Sequence, residues 1–224
     1  MPAAWVAGGG ALGEELARQY RGLVIFGPFE PVDPQEISAL ERELGQAIPP
    51  AYRAFLDVAN GGTLSYSVRV PPGPQGEPIS FSDLYRLGRD RHGEYGWGTL
   101  LGEYRRQSQS WLAGHLPVAT LLPVARTGGS DLVFVDLAPD RYGQVLGFIH
   151  GLPGWTGLAT SDRSGVLADD FDAYLDGLYI DPDLAEDVWS DNAHQDPADP
   201  WRRVIEQWLD DGLPGWRGQP WAAR

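Results

Sequence analysis

The sequence predicts helices packed with antiparallel strands, plus one further helix near the C-terminus, and three observations predict it. The stretches "DPQEISALERELG" and "PPAYRAFLDVANGG" carry apolar residues at helical spacing between helix start and stop residues. Three apolar, β-rich runs later follow one another across short connections, and parallel neighbours would need a crossover, so these run antiparallel. A last amphipathic run, "DPWRRVIEQWLDDG", is again bounded by Asp-Pro and Gly.

The elements follow in order. Residues 1–29, with a Gly-rich start, a helical candidate over 13–20 and the apolar "LVIF", read as an N-terminal extension. Asp33 caps the first firm helix, Pro34 takes its first position and Glu36 completes a capping box, with Ile37, Leu40 and Leu44 on one face and Gly45 at the stop. The second places Tyr52, Phe55, Leu56 and Ala59 on one face and ends at Asn60, Gly61 and Gly62, glycines that accept positive φ. Two such helices, about four residues apart, pack on each other or on a sheet.

"TLSYSVRV" then reads as a strand and "PPGPQGEP" as a loop, with a helical turn over 82–87 before a Gly-rich aromatic segment exposed to water. Strands are predicted over 121–125, 131–137 and within "GQVLGFIH". "LADDFDAYLDGLY" reads as a helix with Leu167, Phe171, Tyr174, Leu175 and Leu178 inward. "IDPDLAEDVWSDNAHQDPADP" reads as an acidic surface linker, inside a Trp-rich extension over 181–224 whose helix spans about 200–211 and turns Trp201, Val204, Ile205 and Trp208 to one face.

Composition narrows the chemistry. The chain has 224 residues, 42% of them hydrophobic, enough to bury a core. It contains no cysteine, which excludes thiolate chemistry and suits a reducing compartment such as the cytoplasm, and all its Lys/Arg residues are arginine, which excludes Schiff bases and lysine bases. His92, His115, His150 and His194 lack metal-ligand spacing, and nucleophile-elbow, Walker and dinucleotide patterns are missing, so no catalytic residue, metal or cofactor is expected. No run approaches the ~20 apolar residues that span a bilayer, so no membrane role is expected.

Charge points to a protein partner. The net charge is −14, and 162–211 holds fifteen acidic residues against three arginines. Such a surface repels phosphate backbones and steers a basic protein, so direct nucleic-acid binding is disfavoured. Trp97, Trp155 and Trp189 lie in Gly- or Asp-rich segments, where indoles suit an interface. The expected partner surface combines them with Asp176, Asp181, Asp183, Glu186 and Asp187.

The order of these motifs resembles the SUKH (Smi/Knr-like) superfamily over about 30–180. The resemblance rests on Ile37, Leu40 and Glu41, on Leu44 and Gly45, on Pro49, Tyr52, Phe55, Leu56, Asn60, Gly61 and Gly62, on Gly128, Gly129, Ser130 and Asp131, on the strand around Gly143 to Val145, and on Phe171 and Leu175. It implies an α+β fold, a mostly antiparallel sheet flanked by helices, without catalytic residues. It also implies a bacterial immunity protein that binds and neutralises a cognate protein toxin, often a nuclease, with a regulatory scaffold of the fungal cell-wall-synthesis type as the alternative. No binding residue is carried over from the superfamily.

Overall fold

The structure is a computed structural model that describes residues 15–70, 78–152, 154–156 and 161–223. Its first element is a strand where the sequence suggested a helix. β1 (Ala17–Tyr20) pairs antiparallel with β2 (Leu23–Phe26) across the two-residue turn Arg21-Gly22, both at positive φ (51° and 78°). That turn's twist matches the strands it joins, and the wholly buried β2 supplies hydrogen-bond partners that a local reading of 13–20 cannot see. The remainder of that helical candidate, residues 13 and 14, lies outside the described residues.

α1 (Pro34–Leu44) is capped as expected, with Asp33 accepting from Gln35 N and Gly45 left-handed at its end. The capping box is half formed, because Glu36 turns away to accept from Tyr95 Oη at 2.6 Å and to pair with Arg89. α2 (Pro50–Val58) buries Tyr52, Phe55 and Leu56. Of the strand expected in "TLSYSVRV", β3 (Val68–Arg69) is the regular part, pairing with β4 (Pro78–Ile79). Residues 64–67 are buried but irregular. The helical turn expected over 82–87 is instead β5 (Asp83–Leu84), and Tyr85 N donates to Val124 O. The edge of the neighbouring strand offers that stretch more hydrogen bonds than one turn of helix closes.

α3 (Leu100–Ser108), capped by Thr99, is a helix the sequence reading left unassigned. β6 (Leu121–Arg126), β7 (Leu132–Asp136) and β8 (Val145–Ile149) lie where three strands were expected. β9 (Arg163–Ala168) takes Leu167 into a strand, so the helix expected from Leu167 starts only at Phe171. The sheet order is β5-β6-β7-β8-β9, every pair antiparallel. Thr63 bridges Phe26 on one side and Asp83 on the other, splicing the β1–β2 hairpin to this sheet.

α4 (Phe171–Asp176) closes over α2, its Phe171 ring 4.8 Å from that of Tyr52. The predicted linker is a helix, α5 (Pro182–Asn192), with Asp181 as cap and Ala185, Val188, Trp189 and Asn192 buried. An acidic outer face made it read as a linker, although its buried face has helical spacing. α6 (Pro200–Gly212) docks on the hairpin: Trp201 and Trp208 lie 5.5 and 6.0 Å from Phe26, and Tyr66 Oη accepts from Val24 N beside them. Gly212 is needed there, since a Cβ would meet the Ile180 side chain at 2.3 Å.

Candidate partner-binding surface

Among the described residues, the exposed large apolar groups other than Trp97 and Tyr142 lie on or against β8, β9 and the chain between them. The turn between β6 and β7 ends at Asp131, whose Oδ1 accepts from His150 N at 2.8 Å. Across the next connection, Asp162 Oδ1 accepts from Gly151 N at 2.7 Å and lies 2.9 Å from His150 Nδ1. Two carboxylates therefore clasp the neck of the segment that leaves β8 and returns as β9. Trp111, from a 3-10 turn after α3, lays its ring 5.2 Å from His150, 5.4 Å from His115 and 5.8 Å from Phe148. Trp111 is still half in water, Leu152 and Val166 are exposed, and Trp155 is 87% exposed.

The residues expected to form one surface are distributed differently. Trp155 is exposed, as expected of it. Trp97 is exposed, but the guanidinium groups of Arg106 and Arg126 lie against its ring, 4.2 and 5.2 Å from its centroid. Both arginines are ion-paired, Arg106 with Glu103 and Arg126 with Asp83, in a stretch with six arginines and three acidic residues between Arg86 and Arg126. Trp189, expected at the surface, is only 4% exposed: it packs 4.7 Å from Trp216 and under Arg202, in a small aromatic core that the C-terminal segment closes. α5 has a buried face and this indole is on it, so it is unavailable to a partner.

The acidic residues divide by role. Asp176 holds Arg21 through two hydrogen bonds of 3.0 and 2.5 Å, and the guanidinium keeps its carboxyl below the ordinary range. Asp181 is spent as the cap of α5, and Glu186 is half-buried. Asp183 and Asp187, joined by Asp191, form an exposed stripe at i, i+4 and i+8 with no ion pair among the described residues. Like charges at this spacing cost a few tenths of a kcal/mol per pair, so the helix retains them against its own stability. Sequence reasoning missed Trp111, Leu152 and Val166. "SQSWLAGHL" does flag Trp111 as an indole without apolar periodicity, whereas nothing local marks the other two.

Among the described residues no group of three His, Cys, Asp or Glu could hold a metal, and no helix is long and apolar enough to cross a membrane. The architecture is a mixed α+β domain with an antiparallel sheet. A family model, SMI1 / KNR4 family (SUKH-1), matches residues 31–177. The chain belongs to that family. The matched span starts beyond the β1–β2 hairpin and ends before α5 and α6, which nevertheless contribute to the same core. No curated protein and no solved structure matches the chain significantly.

Proposed function

We propose that this chain is a non-catalytic protein-binding module of the immunity type, which holds a cognate, basic toxin domain, such as a nuclease, inactive in the cytoplasm. Trp155 carries the reading. A side chain of this size left 87% in water, on the connection whose first residues His150 and Gly151 are held by Asp131 and Asp162, has the character of an anchor for a partner. Burying such an indole in a partner's pocket contributes about 2 kcal/mol or more at a hot spot. The unpaired stripe of Asp183, Asp187 and Asp191 supports a basic partner, whose encounter it accelerates. Membership of the family supports a binding role over a catalytic one.

The test is co-expression with candidate toxin domains encoded in the same genome, followed by binding kinetics. Rescue of growth and a tight one-to-one complex are expected, with Trp155→Ala raising the dissociation rate. Neutralising Asp183, Asp187 and Asp191 together should slow association and flatten its salt dependence. An unrescued host, or weak binding to several unrelated proteins, would instead favour a regulatory scaffold.

A further inference from the structure

The open edge of the sheet suggests how such a partner engages. β9 is the last strand in the order, and among the described residues nothing pairs with its outer side. Ser164 and Val166 are both exposed. The β8–β9 register passes from Ala168 to Val166 and skips Leu167, so the regular part of the strand runs from Arg163 to Val166. In such a strand alternate residues direct both N–H and C=O away from the existing neighbour, a ready template for another strand.

Natural edges are blunted by lysine, proline or a covering segment. Here no proline interrupts the strand, its one basic residue is Arg163 at the start, and the bulge lies beyond the regular stretch. Charge sits at the ends: Asp162, already held by Gly151 N and His150, just before the strand, and Asp169 with Asp170, the cap of α4, just after it, against Arg163 at the strand's start. Asp169 has no partner among the described residues. These carboxylates, on a chain of net charge −14, oppose edge-to-edge pairing with a second copy. They are complementary to a cationic strand. Trp155, 87% exposed, lies on the connection between β8 and β9.

We propose that β9 is a docking edge on which an extended, cationic segment of the partner adds as a sixth strand. This rests on the protein-binding reading above and specifies its geometry. Backbone pairing holds the segment, while Val166 and the flanking aspartates select an alternating apolar and basic sequence.

The isotope-labelled full chain is titrated with a probe peptide of about eight residues, alternating valine and lysine, which matches a typical strand length. The controls are a valine–glutamate peptide and a helix-forming alanine–lysine peptide of the same charge. Amide shifts and slowed hydrogen exchange confined to 163–166 and their neighbours are expected for the first peptide only. Val166→Lys, at an exposed position, should weaken its binding about tenfold, because edge lysines block pairing. Glu94→Gln makes the same charge change on a remote loop and should leave binding within about twofold, as a long-range charge is screened. Ser164→Lys is the second edge variant if Val166→Lys fails to fold.

The proposal is overturned if the alanine–lysine peptide binds equally well, if shifts centre on α5, or if Val166→Lys and Glu94→Gln fall together. A toxin complex untouched by Val166→Lys would remove the edge mode and leave the binding function standing. A peptide that docks on β9 in a chain that ignores the toxin would do the reverse.

Discussion

Asn60 Oδ1 accepts the backbone N–H of Leu87 at 2.6 Å, joining two points 27 residues apart in the fully buried end of α2's turn. The Asn60 amide also donates to Pro31 O at 3.2 Å, so one side chain ties three segments. Asn60→Ala leaves the Leu87 N–H buried and unpaired, and the expected cost is about 1–3 kcal/mol. Urea unfolding measures it, and a loss within error would remove Asn60 from this role.

Gly62 and Gly45 both have positive φ, but only one is crowded. A Cβ at Gly62 would meet Phe26 O at 2.4 Å, in the Thr63 splice itself, whereas nothing lies within 4 Å of one at Gly45. Gly45→Ala is expected to cost about 1 kcal/mol from strain alone. Gly62→Ala should cost distinctly more and lower the cooperativity of unfolding, because the hairpin loses its seat on the sheet.

Trp208 is fully buried between Phe26 and Tyr66. Trp208→Ala is therefore expected to destabilise the domain by about 3–5 kcal/mol. Truncation after Asp196, which removes α6, should lower thermal stability for the same reason. An unchanged melting temperature together with a changed oligomeric state would mean that α6 serves association instead.

Trp155 and Trp189 should behave as opposites. Trp189→Ala is expected to cost about 3–5 kcal/mol of stability, as for a buried aromatic. Trp155→Ala should leave stability within about 0.5 kcal/mol, as for an exposed site. Thermal melts of the two variants suffice to check this contrast.

Alkaline unfolding should follow from buried phenols. Desolvation pushes Tyr66 up to about 12, and Tyr52, Tyr85 and Tyr174 are raised further by the same cause. A folded-state pKa above the unfolded value of about 10 means that the unfolded chain binds fewer protons above that pH, so this stability is full below ~10 and is lost as pH rises through ~12. Phenolate absorbance should show some of the nine tyrosines titrating before the circular dichroism changes, and these four only with it.

Much of the helical framework was legible because helix starts are local. Asp33-Pro34, Asp181-Pro182 and Asp199-Pro200 each place an aspartate whose oxygen accepts from a first-turn N–H, at 2.8, 3.1 and 2.8 Å. The second was misread only because the acidic residues after it obscured the spacing of Ala185, Val188 and Trp189. The apolar runs of β6, β7 and β8 were equally plain, since a strand buried in a sheet must be apolar along its length.

By itself the sequence determined α1, α2 and α6, three sheet strands, the helix-end glycines Gly45, Gly61 and Gly62 and the acidic bias, all legible within short stretches of chain. Only the tertiary structure decided that 17–20 is a strand, because Leu23–Phe26 lies ready to pair with it, and that 83–84 joins β6. It also decided the fate of the indoles. Trp189 and Trp155 sit in similarly polar segments, yet one packs on Trp216 and the other points to water. Trp189 shares helical spacing with Ala185 and Val188, but the Trp216 that covers it arrives from a distant part of the chain.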